Sequence, residues 1–238
     1  VRLWAGETIS IFGSLIGGLA LSFTAILWLD ASPLELSILI GAQFVPGFLV
    51  GLIAGVWVDR LKRRPIMIVA DIGRFVALAT VPLAALFGLL TIWQLYAVAL
   101  AASTLTVFFD VAYQSYLPTL VAREELIEGN AKLTASASVA EVGSFSLSGW
   151  LVQLLSGPGT ILIDAVSFLA SAFFVWRIRT EEPPPLPEHE RTGVWVEAKA
   201  GLSIVRHEPI VRSLVVANAI AVCGNRIFGV VFLLYLYN

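Results

Sequence analysis

The chain has 238 residues, of which 58% are hydrophobic and 13% charged, with a mean hydropathy of +0.88. Charged residues fill about a quarter of an ordinary soluble chain, so a water-soluble globule of this size is excluded. The net charge of −2, with no large basic cluster, gives no sign of a nucleic-acid partner, and the single cysteine, Cys223, excludes an intrachain disulfide or a multi-cysteine metal site.

A bilayer core of roughly 30 Å takes about 20 residues of apolar helix. Seven runs meet that need: Ile9–Leu29, Leu36–Val58, Pro65–Leu90, Leu95–Leu117, Leu133–Leu155, Thr160–Trp176 and Ile210–Tyr237. None alternates with period two, which argues against a barrel. The expected fold class is therefore all-α and membrane-integral. The first run is too long for a signal peptide and lacks a small-residue cleavage site. With no initiator methionine and an end just past the seventh run, the chain reads as a fragment.

The cations set the orientation. Of fifteen Lys and Arg residues, all but Arg74 and Arg226 fall before span one or beside the connectors that follow spans two, four and six. The other three connectors carry none. By the positive-inside rule the N-terminus and the even-numbered loops are cytoplasmic. Pro33, Pro118 and Pro158 punctuate connectors, whereas Pro46 and Pro82 fall inside spans, where they can kink a helix. The longest loop opens on Glu181-Glu182-Pro183-Pro184-Pro185, a stiff and solvated start. Residues Val194–Val205 then read either as a short helix on the cytoplasmic membrane surface or as an irregular tether. The domain plan is 1–178 for a six-span half, 179–208 for a linker, and 209–238 for the first span of a second half.

The most specific segment is Gly55-Val-Trp-Val-Asp59-Arg60-Leu-Lys-Arg63-Arg64 between spans two and three. Four cations and one acid crowd a short hairpin there, and Asp59 is placed to pair with the cations. This pattern resembles the signature loop of the major facilitator superfamily of transporters. Further segments are similar to its drug-exporting branch, which includes macrolide-efflux and enterobactin-exporter-like proteins. They are Leu3-Trp4-Ala5-Gly6, Ile9–Gly13, Ala70–Arg74, Phe108–Tyr113 with Leu117-Pro118, Gly129–Ala131 and Ile163–Leu169. The resemblance implies a six-helix N-terminal bundle plus a seventh helix, in the inner cell membrane. It also implies a partner in the C-terminal half of the same polypeptide, besides the lipid bilayer and a small-molecule substrate. Span four lacks the intramembrane arginine found in many proton-driven relatives, and Lys62 stands where many members have glycine.

In the resembling transporters the loop acid latches the two halves, and Gly55 allows close backbone approach. Asp59 with Arg60, Arg63 and Arg64 is thus read as a gate rather than as a topology signal alone. Gly47, Gly51 and Gly55 recur on one face of span two and permit tight helix contact. Asp71 and Arg74, three residues apart, read as a self-satisfied pair extending that gate in preference to a direct role in substrate binding. Asp110, Tyr113 and Gln114 share a face of span four. They form either a site for a lipophilic cation, using charge and the ring face, or a structural end to the span. Glu141 and Asp164 are candidate protonation sites, with Asp164 also readable as a hydrogen-bond acceptor between helices.

No nucleotide-binding glycine loop, metalloprotease-like histidine pair or Ser-His dyad occurs, so neither an enzyme nor a cofactor is expected. The function expected from the resemblance is ion-driven export of small amphipathic molecules by alternating access, with protons as the coupling ion. The competing reading is a non-transporting scaffold or degenerate half-transporter. Orientation is open to a direct test, in a Cys223→Ser background of intact cells. Single cysteines near Ser32 and Gly157 should react with an impermeant thiol reagent, and those near Glu125 and His189 should not. Labelling at Glu125 but not at Ser32 would reverse the orientation.

Overall fold

A computed structural model describes residues 2–120, 126–178, 182 and 193–237. The connector at Glu125, the histidine His189 and the proline run 183–185 lie outside the described residues. Among those residues every regular element is an α-helix. They are α1 (Arg2–Leu29), α2 (Pro33–Arg60), α3 (Arg63–Leu86), α4 (Ile92–Leu120), α5 (Leu126–Trp176), α6 (Val194–His207) and α7 (Pro209–Tyr237). All but α6 are long and apolar enough to cross a bilayer. The chain divides into one compact unit, Val1–Pro185, and a second, Leu186–Asn238.

Helix α5 is a hairpin. A straight helix of its 51 residues would run about 76 Å, more than twice a bilayer core. Ser156 breaks it, with φ 67° and ψ 168°. The Ser156 hydroxyl accepts from the Gly159 amide at 3.5 Å and so caps the second arm. The arms 126–155 and 157–176 correspond to the fifth and sixth runs of the sequence. Their opposite directions are visible in their contacts with α1. Gly143 lies at the level of Phe12, Gly157 at Thr24, and Phe174 back at Gly6.

Helix α1 sits against both arms, and glycines make that possible. A Cβ added at Gly13 would overlap Ser167, and one at Gly17 would overlap the Asp164 carboxylate. Packing rather than water drives association in lipid, so such close approach is the stabilising term. By contrast, a Cβ at Gly47, Gly51 or Gly55 would meet nothing within 4 Å, so the small-residue face of α2 is open in this unit. On its other side α2 is tied to α4, where the Tyr96 hydroxyl donates to Glu35 O at 3.1 Å and Ser103 donates to Ala42 O at 3.2 Å.

Local caps set the remaining turns. Ser32 and Glu35 form a reciprocal capping box at the start of α2, with Pro33 at the first helical position. Gly88 (φ 66°) closes α3 in a Schellman turn, with Leu89 N donating to Ala84 O at 2.9 Å and Gly88 N to Ala85 O at 3.1 Å. Pro118, expected in a connector, lies in the last turn of α4 instead, because the helix continues past the apolar run.

The same continuation shortens the signature hairpin to Leu61 and Lys62. Asp59 and Arg60 end α2, and Arg63 and Arg64 begin α3. Helical hydrogen bonding does not stop where hydropathy falls. Asp59 is exposed, and among the described residues it makes no ion pair with the neighbouring cations. The acid that serves the hairpin is Glu182. Its carboxylate accepts from the backbone amides of Arg63 (2.7 Å) and Arg64 (2.9 Å). Helix α3 needs this, since Lys62 offers no side-chain cap and the first turn holds no acid. In return the Arg64 guanidinium donates to the carbonyls of Val175, at 3.2 Å, and Trp176 at the end of α5. Glu182 was expected to be solvated; a helix N-terminus far away in sequence captures it.

In the second unit, Glu208 alone separates α6 from α7, and Arg212 N donates to Glu208 O at 2.9 Å. The segment readable as helix or tether is thus helical.

The glycine contacts predict a contrast. Gly17→Ala should lower the thermal stability of the detergent-solubilised chain by about 1–3 kcal/mol through overpacking. Gly47→Ala should leave it unchanged or slightly raise it, because alanine favours helix. Equal thermal midpoints for the two variants would mean that α1 and α5 are not in this close contact.

Candidate functional site

A crevice lined by apolar and polar side chains runs between α1, α4 and the first arm of α5. It consists of two adjoining cavities of about 370 and 260 Å³ that share Glu7, Ile11, Asp110 and Ala137. The larger adds Arg74, Thr106 and Glu141, and the smaller adds Tyr113, Gln114 and Thr134. Asp110 and Glu141 face the open space. Glu7, Ser10 and Ser14 give α1 a polar stripe along its crevice face, at helical spacing.

Arg74 forms the inner wall. It is 2% exposed and paired with Asp71, itself 0% exposed, one turn earlier on α3. Its guanidinium also donates to Thr106 Oγ1 at 3.3 Å. It lies 4.5 Å from the ring centre of Phe109 and 4.0 Å from that of Phe168. Each desolvated ring contact of this kind stabilises a cation by up to about 2 kcal/mol. Its Nε has no hydrogen-bond partner among the described residues. Arg74 thus reaches the crevice from α3, against the Phe109 and Thr106 side chains of α4.

The Arg74 charge acts on Glu7, Asp71, Asp110 and Asp164. One guanidinium can neutralise one carboxylate, and Asp71 already takes that role. Among the crevice-lining residues, Glu7 Oε2 and the Tyr113 hydroxyl are also without hydrogen-bond partners among the described residues. The Tyr113 ring stacks on Phe109 with centroids 6.2 Å apart, which covers one ring face, and Tyr113 borders the smaller cavity.

The structure brings together Asp110, Tyr113, Gln114 and Glu141, all of which the sequence nominates. Asp164 is not among the crevice-lining residues. It is 3% exposed, wedged against Gly13 and Gly17 of α1, with Oδ1 unpartnered among the described residues. Asp71 and Arg74 do form the expected pair, but Arg74 borders the crevice, while Gly55, Asp59, Arg60, Arg63 and Arg64 stay at the hairpin. Asp71 is eight residues from Arg63, roughly 12 Å along the helix axis. Glu7 is the residue that sequence reasoning missed. The first span was placed at Ile9–Leu29, which left Glu7 outside it, whereas α1 begins at Arg2. The polar spacing of Glu7, Ser10 and Ser14 was the signal that could have found it.

The sequence model of the Major Facilitator Superfamily matches residues 4–238. The chain is 27% identical over 222 residues to the uncharacterized MFS-type transporter YfiS of Bacillus subtilis (strain 168), covering 88% of this chain and 50% of that protein. It is 28% identical over 229 residues to the multidrug efflux pump Tap of Mycolicibacterium fortuitum, covering 89% and 54%. It is 27% identical over 177 residues to macrolide efflux protein A of Streptococcus pyogenes, covering 74% and 44%. The chain thus spans about half the length of the curated relatives it matches. The match over nearly the whole chain, with its apolar helices and signature hairpin, means that it belongs to the Major Facilitator Superfamily, a family of membrane transporters rather than enzymes.

Proposed function

We propose that this chain provides half of the transport path of a secondary active exporter of small amphipathic molecules, working by alternating access in the cell membrane with its N-terminus cytoplasmic. The observation that carries this reading is the acidic crevice around Asp110, in a bundle whose relatives include proteins named for multidrug and macrolide efflux. A second half of the same polypeptide would close the crevice from the other side, in keeping with relatives about twice as long.

Charge counting supports ion coupling. Arg74 is matched by Asp71, so the other carboxyls of the cluster, Glu7, Asp110, Glu141 and Asp164, exceed the cation available. Surplus carboxylates in a low-dielectric site must be met by a proton or by a cation from outside. A proton and a cationic substrate therefore compete for the same oxygens, which is a minimal exchange mechanism. The open glycine face of α2 and the exposed Asp59 fit a latch toward the second half, with Glu182 holding the hairpin rigid beneath it.

Two substitutions in the full-length protein test this. Asp110→Asn should reduce efflux of a cationic dye about tenfold and flatten its pH dependence, with a neutral dye of the same shape changed by less than about twofold. Equal loss for both dyes would make Asp110 structural. Asp59→Asn should abolish most transport at unchanged membrane abundance, through a shift of the conformational balance. Transport near wild type would leave the hairpin as a topology signal only.

A further inference from the structure

We infer that the crevice selects an ammonium that still carries N–H groups, a protonated amine, held between Glu7 of α1 and Asp110 of α4 with the Tyr113 hydroxyl as a third acceptor. This rests on the export reading above and narrows its substrate class. Neither Glu7 nor Tyr113 is needed for cation recognition as such, which a single Asp110 charge could supply.

Three observations carry it. First, Glu7 and Asp110 come from different helices and line both cavities together, and Glu7 lies within reach of the Asp110 charge. A group between them is met by carboxylates from two sides. Second, Tyr113 is 8% exposed and its hydroxyl lacks a hydrogen-bond partner among the described residues, although it borders the smaller cavity beside Glu7 and Asp110. A buried hydroxyl of this kind costs about 1–3 kcal/mol unless something completes it. Glu7 Oε2 is in the same position. Both atoms belong to residues that line the smaller cavity, and both oxygens can accept from an N–H donor, which a methyl group does not supply.

Third, few ring faces are left, since only one face of Tyr113 stays uncovered among the crevice-lining rings. A quaternary ammonium has no donor and is recognised by aromatic faces that surround it. Here Phe109 and Phe168 are engaged by Arg74, and Tyr113 lies stacked on Phe109. The crevice therefore offers oxygen acceptors rather than an aromatic cage. Gln114 and Thr134 add further polar atoms at the same wall.

The test uses one fluorophore with three tails of nearly equal size: dimethylaminoethyl, trimethylammonioethyl and the neutral 3,3-dimethylbutyl. Efflux from cells expressing the full-length protein is measured for each, normalised to membrane abundance. The wild type should export the protonated dimethylamino dye better than the trimethylammonio dye. Glu7→Gln and Tyr113→Phe should each cut that ratio about tenfold, the size expected for losing one hydrogen bond to a charged group. Both variants are near-isosteric, and residual export of the trimethylammonio dye reports that they fold. A wild-type ratio near one, or a ratio unchanged in both variants, overturns the inference. If instead the wild type fails to distinguish the cationic dyes from the dimethylbutyl dye, the Asp110 reading itself fails, which is a separate outcome.

Discussion

Arg74 is a full positive charge buried in the helix bundle, and the side chains around it are arranged by what that charge requires. Its neighbours on three helices supply a carboxylate, a hydroxyl and two ring faces. An arginine at the centre of a membrane helix costs about 2.5–3.5 kcal/mol on insertion scales, so this set of partners is what allows it to stay. Because Asp71 and Arg74 are one turn apart on α3, the pair forms within a single helix. The more distant acids, Glu7, Asp110 and Asp164, then lie in its field, and among the described residues none of them forms an ion pair of its own. A crevice with a fixed positive wall and an excess of carboxyl groups is the chemical feature on which the functional reading depends.

The shape of that crevice is set by close packing elsewhere. Helix α1 can approach α5 only because Gly6, Gly13 and Gly17 present no side chain. That approach fixes the rotation of α1 and turns Glu7, Ser10 and Ser14 toward α4. The hairpin at Ser156 contributes by sending the second arm back along α1, so Asp164 becomes a buried packing residue and the first arm supplies Glu141 to the open side. On α3, Met67 lies about two turns nearer the hairpin than Arg74 and joins Leu3, Val58, Tyr116 and Val175 in a buried apolar cluster. That cluster gathers five helical segments near the signature hairpin.

The hairpin itself is organised by helix ends. Two arginines at the start of α3 place positive charge at the positive end of a helix dipole, which is unfavourable. Glu182 offsets this by accepting from both amides, and Arg64 turns away to the carbonyls that end α5. The two interactions tie the hairpin to the end of α5 and to Glu182 just beyond it. Asp59, freed from the pairing that its neighbours suggest, remains on the surface.

Local composition was enough to determine the all-α membrane class, the presence of several membrane-length apolar helices, the signature hairpin and the shared face of Asp110, Tyr113 and Gln114. Each of these depends on neighbours within one or two turns of the same helix, or on how much apolar length a bilayer demands. Which faces of different helices meet is a non-local question, and only the tertiary structure decided it. It moved Glu7 from a presumed boundary into the crevice and took Asp164 out of consideration as a crevice wall. It pointed Arg74 at α4, and gave the hairpin amides to Glu182 rather than leaving their neighbourhood to Asp59. The physical reason is the same in each case. A buried charge or an unsatisfied amide takes whichever partner the packing brings within reach, and that partner can lie more than a hundred residues away in the chain.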